Sequence, residues 1–207
     1  QSQAAVPPPR SRRPTEPVSA RTMSRPSSPA TEWTYSEYAR LPDDGNRYEV
    51  IDGEVCMTPA PGPAHQEIAA NLCLALREYV REHRLGRVLW DVDLLFVSGQ
   101  YLRPDMVFVP TSSLDGITDR GVESPPGLVV EVLSPHSRRI DRDLKPPRYR
   151  AFGVPEYWVV DPKSASVEVY RLQGAVGPEA VWDALRWQPD PTVPALEIPV
   201  ADLFRET

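Results

Sequence analysis

Residues 126–134 read PGLVVEVLS, and no other stretch constrains the fold as much. A Pro-Gly turn opens it and Ser134-Pro135 closes it. Between them Leu128, Val129, Val130, Val132 and Leu133 make a short, β-branched apolar run. Such a run specifies a strand buried on both faces. Yet Glu131 stands at its centre. An unpaired carboxylate there is so costly that the fold must bring it a partner. Two partners are open: a metal cation, or a buried Arg or Lys in a structural ion pair.

A strand of that kind needs layers on both sides, and the sequence supplies them. T-Y-S-E from Thr34 is a capping box and predicts a short helix to about Leu41. RYEVIDGEVCM alternates on either side of Asp52-Gly53, the signal for a tight hairpin. Residues 63–85 carry Ile68, Leu72, Leu76, Tyr79 and Val80 at helical spacing and close on Arg84 and Gly86, so a long helix is expected. Strands are expected over 87–97, 104–109 and 127–134, a second helix within 138–152, then VPEYWVVDP and SVEVYRL as a strand pair. Trp182, Trp187 and Leu196 mark edge strands before a short helix at 200–204, and no internal repeat is visible. This order reads as an α/β sandwich, a mixed β-sheet flanked by helices.

The 207 residues are 41% hydrophobic and 25% charged, enough for one soluble domain with a core. No apolar run approaches the ~20 residues that span a bilayer, so no membrane partner is expected. Cys56 and Cys73 lack any CxxC spacing, which argues against a disulfide framework or zinc cluster and for a cytoplasmic setting. Residues 1–30 differ from the rest. Seven Pro, five Arg and one Glu among Ser and Ala read as a disordered basic tail, without the apolar centre of a signal peptide. Met23 is a candidate natural start. The net charge is −6 and the tail holds +4, so residues 31–207 carry −10. That balance opposes general nucleic-acid coating but leaves room for a local basic patch.

A second acid, Asp105, opens the apolar run in R-P-D-M-V-F-V. Alternation places Asp105 with Val107 and Val109, and Glu131 with Val129 and Leu133. If the two strands are neighbours, the carboxylates converge and raise one another's pKa, a conflict that a hard cation such as Mg²⁺ or Mn²⁺ removes. Downstream, Asp141, Lys145 and Tyr149 have the spacing of one helix row and can aim Lys145 at the same place. The alternative for this row is a solvated Asp-Lys pair on a helix surface.

Together RYEVIDGEV, PAHQEIAANLCLAL, RPDMVFV, LVVEVLSPHSRRIDRDLK and YRAFGVPEYWVVDP resemble the Uma-two family of the PD-(D/E)XK nuclease superfamily, over about Thr34 to Phe204. The resemblance implies a restriction-endonuclease-like core, a Mg²⁺ (or Mn²⁺) site and cleavage of DNA phosphodiesters. It makes Asp105 the motif aspartate, Glu131 the motif acid and Glu49 a further metal ligand or water holder. Glu49 is preferred over Glu54, which reads as an exposed strand residue; the alternative for Glu49 is an ordinary surface carboxylate. Leu133 stands where the superfamily places its lysine, so Lys145 becomes the substitute. Pro146-Pro147 follow directly. If the helix starts at Leu144 or Lys145, Lys145 still points usefully, but the row with Asp141 is expected to be lost.

His65 also fits the family pattern, as a phosphate contact or a helix cap. Arg103, Arg138, Arg139 and Arg142 flank the expected site and suit phosphate, with solvated surface arginine the default for each. Tyr157 and Trp158 read as core aromatics rather than a base-stacking platform. A homodimer is expected, since two-fold symmetry suits the cutting of two strands. The rivals to a DNA endonuclease are a nuclease fold whose site has decayed into a binding or assembly module, and an RNA or nucleotide phosphohydrolase.

Overall fold

The computed structural model describes residues 33–174 and 177–205, together with the backbone of 21–23. Most of the tail expected over residues 1–30 lies outside the described residues. Within it, Arg21–Met23 form strand β1, a departure from an unstructured tail through residue 30. Helix α1 (Tyr35–Tyr38) starts on its capping box, Glu37 N–H donating to the Thr34 hydroxyl and Thr34 N–H to the Glu37 carboxylate, and stops short of Leu41. Strands β2 (Arg47–Ile51) and β3 (Glu54–Thr58) make the expected hairpin. Asp52 and Gly53 take φ of +54° and +80°, the left-handed pair that matches strand twist. The other edge of β3 receives β1, Arg21 opposite Met57.

Helix α2 (Pro63–Glu82) begins with a proline in its first turn, where a missing N–H costs nothing, and buries the five residues of its predicted stripe. It ends earlier than residue 85 because Arg84 turns left-handed at φ +55°. The strand expected over 87–97 is two strands, β4 (Gly86–Trp90) and β5 (Leu94–Leu95). Asp91, left-handed at φ +51°, turns the chain between them. Next come β6 (Tyr101–Leu102), β7 (Met106–Pro110), a 3-10 turn at Thr111–Gly116, β8 (Ile117–Thr118), β9 (Gly121–Val122) and β10 (Leu128–Val132). A π-helical turn, Ile140–Leu144, runs straight into α3 (Lys145–Phe152), which Gly153 closes at φ +94°. Strands β11 (Glu156–Asp161) and β12 (Ser166–Arg171) form the expected pair. β13 (Glu179–Val181), β14 (Ala184–Trp187), β15 (Leu196–Pro199) and α4 (Val200–Leu203) complete the chain.

The central sheet has six strands in the order β13-β12-β11-β10-β7-β4, and β10 lies in its interior, parallel to β11 and antiparallel to β7. A second sheet of seven short strands is built on the β2–β3 hairpin, and β14–β15 pair separately. Alternation divides the core accordingly. Val88, Met106, Phe108, Leu128, Val130 and Trp158 pack on the α2 side, with Trp187 edge-on to Phe108 at 5.0 Å. Val107, Val109, Val129, Leu133, Tyr157 and Val159 pack on the α3 side. Tyr157 and Trp158 have no exposed surface, so they are core aromatics as expected, and truncating either to Ala costs about 3–5 kcal/mol. This phase leaves Glu131, between Val129 and Leu133, facing α3.

Candidate active site

Val129 and Val130 of β10 lie opposite Val107 and Met106 of β7, so the next pair along the ladder is Glu131 and Asp105. The condition that the two strands be neighbours is met, and both acids line one cleft. Asp105 is buried at the mouth of β7 and fully engaged. Its Oδ1 accepts from Arg47 Nη1 at 2.5 Å, and its Oδ2 accepts from Val132 N–H at 2.8 Å and lies 3.0 Å from His65 Nε2. Burial opposes its charge, but His65 and Arg47 outweigh that and hold its carboxyl down to about 2.

Glu131 has a different surrounding. Lys145 Nζ lies 2.7 Å from Glu131 Oε1, 2.8 Å from Glu49 Oε1 and 3.1 Å from Asp141 Oδ1, and all four side chains are buried. Tyr149 adds its hydroxyl, donating to Glu131 Oε1 at 3.1 Å. Burial raises the Glu131 and Asp141 carboxyls against the lowering pull of Lys145. Burial also works against the Lys145 ammonium, yet the carboxylates around it hold it charged well above an ordinary lysine. Three acids sharing one ammonium leave the cluster acid-rich, and burial favours a proton on Glu131 and on Asp141.

The row Asp141, Lys145, Tyr149 is therefore intact, contrary to the expectation drawn from Pro146-Pro147. α3 does begin at Lys145, but the π-helical turn before it keeps the chain wound and holds Asp141 Oδ1 beside the ammonium. Glu49 sits on the inner face of β2, where Arg103 N–H donates to its Oε1 at 2.8 Å, while Glu54 is exposed. His65 caps nothing: the α2 N-cap is Gly62, and the imidazole turns to Asp105, leaving its Nδ1 buried without a hydrogen bond.

Among the arginines expected near phosphate, only Arg103 lines the cleft, its side chain held by Asp91 at 3.0 Å. Arg138 and Arg142 are placed elsewhere. Both forks are taken up by Asp161, at 2.7 and 2.8 Å, and Arg142 also by Glu168. Arg139 is exposed and outside the cleft. Arg47 and Asp141 are site neighbours that sequence reasoning did not name for the site. Arg47 was within reach of the alternation rule, which puts it on the Glu49 face of β2.

The cleft is small, about 30 Å³, room for an ion or a water rather than a nucleoside. Among the described residues, no three His, Cys, Asp or Glu groups already surround a common metal position. The donor set nevertheless fits a hard divalent cation. It is oxygen-only, it holds more acid than base, and Mg²⁺ is commonly bound by one or two carboxylates with waters and substrate phosphate. Asp105 and Glu131 are the two carboxylates that would hold it, with Glu49 beside them in the same cleft.

A crystal structure described as a putative nuclease belonging to DUF820, from Anabaena variabilis, is similar over 82% of this chain and 96% of its own, at 22% identity and a TM-score of 0.64. At that identity the likeness carries the fold. No curated protein matches the chain. The sequence profile of a family described as Uma2, putative restriction endonuclease, matches residues 35–201, a span holding the whole central sheet and every residue of the cleft. The chain thus has the restriction-endonuclease-like α/β fold and belongs to the Uma2 family of putative restriction endonucleases.

Proposed function

We propose that this protein is a divalent-metal-dependent endonuclease that hydrolyses DNA phosphodiesters at the Asp105–Glu131 cleft. The observation that carries the reading is the pairing of two buried acids across adjacent interior strands, with a buried lysine 2.7 Å from one of them. Mg²⁺ or Mn²⁺ held by Asp105 and Glu131, with Glu49 assisting, would supply Lewis-acid activation of water and neutralise phosphate charge. The chain's own groups do the rest. Arg47 and His65 fix the Asp105 carboxylate, and the Arg103 backbone fixes Glu49. Lys145 orients the attacking water and stabilises the charge that grows on the phosphoryl oxygens. A two-fold homodimer would set two such clefts on opposite strands of a duplex.

The test is cleavage of supercoiled plasmid with Mg²⁺ or Mn²⁺, compared with EDTA and with Glu131→Gln. Nicking or linearisation that needs both the metal and Glu131 supports the reading; identical products from Glu131→Gln sink it. A second reading is favoured by a specific observation: every Asp105 oxygen is engaged and Lys145 fills the centre of the other acids. That closed network suits a nuclease fold retained as a binding or assembly module. DNA binding without cleavage under any divalent metal would select it.

A further inference from the structure

The small cleft opens into a larger hollow of about 700 Å³, with Arg47, His65, Arg103 and Asp105 lining both. The hollow runs along the outer face of α2 to Trp90 at the end of β4, an edge strand of the central sheet. Beyond Trp90 lies a second hollow of about 840 Å³, which shares Leu74, Arg77 and Trp90 with the first. Arg77, Arg81, Arg84 and Arg87 line this second hollow, with Glu78 as their one acid. The three cavities form a continuous path from the cleft to a cluster of four arginines.

Three features set this cluster apart. Residues 31–207 carry a net charge of −10, so four exposed arginines together run against the balance of the domain. Several arginines elsewhere are neutralised locally, as with Arg138 and Arg142 on Asp161, or Arg171 on Glu179. Among the described residues, none of the four forms an ion pair with a carboxylate. Arg84 also occupies a left-handed position, φ +55°, where glycine would be less strained.

Trp90 completes the path. It is 56% exposed, with the Arg77 guanidinium over one face of the ring, 4.8 Å from its centroid, a contact that steadies the indole. Its neighbour Asp91 holds Arg47 at 3.3 Å and Arg103 at 3.0 Å, which ties the aromatic wall to the residues around Asp105.

We propose that the path from the cleft over Trp90 to Arg77, Arg81, Arg84 and Arg87 is a track for a single-stranded or locally unpaired nucleic acid. The arginines take successive backbone phosphates, and Trp90 stacks a base beside the scissile position. Charge complementarity selects a polyanion. The tryptophan selects an unpaired one, because a base within a duplex hides its face in the stack, whereas any free base offers it. The first hollow has the size of a nucleotide-scale ligand site. This inference rests on the nuclease reading for the location of the scissile phosphate, but not for binding itself.

The experiment is fluorescence anisotropy of a short labelled oligothymidylate, and of a duplex of equal length, titrated with the full chain in EDTA over a salt series. Wild type is expected to prefer the single strand. Trp90→Ala is expected to weaken single-strand binding roughly 5- to 150-fold, with partial recovery in Trp90→Phe. Replacing the four arginines by alanine is expected to reduce the salt slope by about 3, at about 0.7 per phosphate contact. Arg81→Ala alone is expected to give about a quarter of that, and Arg186→Ala, exposed on β14, no change. Wild-type binding by Trp90→Ala and the arginine variants overturns the track, even if the enzyme cleaves. Equal binding of vesicles of anionic phospholipid through the same residues also overturns it. Binding as expected with no cleavage under any metal supports the track and removes the catalytic reading instead.

Discussion

Lys145 Nζ and Glu131 Oε1 lie 2.7 Å apart, both side chains buried, on two elements brought together by the π-helical turn before α3. The same ammonium also serves Glu49 and Asp141. Lys145→Ala therefore leaves three buried carboxyls without their cation. Breaking a buried pair from one side costs about 3–5 kcal/mol. Denaturant unfolding at neutral pH in EDTA is expected to show a loss of that order; a loss below about 1 kcal/mol would show that the buried network does not hold the fold together. Cleavage, assayed well below the melting temperature, is expected to slow by roughly 10²-fold or more. Lys145→Arg should restore little, because the guanidinium is bulkier and cannot give up a proton at working pH.

The two strand acids should behave oppositely when neutralised. Asp105 is held ionised, its carboxyl down to about 2 through His65 and Arg47 in spite of burial. Asp105→Asn removes that charge and leaves Arg47 only its half-exposed partner Asp91, so a loss of about 2–4 kcal/mol at neutral pH is expected. Burial already pushes the Glu131 carboxyl toward its protonated form, which an amide resembles. Glu131→Gln is expected to stay within about 1 kcal/mol of wild type. Urea midpoints of the two variants at equal m-value test the contrast, and equal losses in both would refute it.

Much of this arrangement was legible in the sequence because alternation is a strong rule. Val107, Val109, Val129 and Leu133 fall on the α3 side, so the facing of Asp105 and Glu131 follows from periodicity once β7 and β10 are neighbours. Adjacency itself is a non-local fact. No local pattern distinguishes the β7–β10 pairing from other pairings of equally apolar strands. The π-helical turn was illegible for a related reason. Pro146-Pro147 announces a helix start, but the winding of Ile140–Leu144 ahead of it is held by buried contacts of Ile140 and Asp141. The destinations of Arg138 and Arg142 depend on Asp161 and Glu168, some twenty residues away in another strand pair, and residue type alone cannot reveal such a partner. Splitting of the strand expected over 87–97 turned on one left-handed residue, Asp91, a conformation that aspartate tolerates but does not announce.

Asp161 gives a pH dependence with a definite sign. Burial would raise its carboxyl, but hydrogen bonds from Arg138 and Arg142 overcome this and hold it well below the usual carboxylate range. A carboxyl depressed on folding stabilises the folded state above its unfolded pKa of ~3.9, and that stability is lost as pH falls below it toward the folded value. Wild type should therefore lose melting temperature steeply below about pH 4. Asp161→Asn should melt lower at neutral pH, by about 1.5–3 kcal/mol of stability, and show a shallower acid limb. Parallel limbs in the two proteins would mean that Asp161 contributes nothing to acid sensitivity.

Metal binding can be read without any substrate. A ligand that binds only the folded state stabilises it by mass action, about 2.7 kcal/mol at a hundredfold excess over its Kd. Millimolar Mg²⁺ or Mn²⁺ is therefore expected to raise the melting temperature of wild type. Glu131→Gln is the informative partner, because it is expected to fold as well as wild type yet lacks one oxygen anion of the proposed pair. Its melting temperature should stay flat as metal is added. Lys145→Ala should respond more strongly than wild type, since a divalent cation replaces the charge that Glu49, Glu131 and Asp141 have lost. A wild-type melting temperature that ignores both metals, together with the Lys145→Ala loss described above, would assign the Glu131–Lys145 pair to structure. The fold would then be a nuclease scaffold kept for binding.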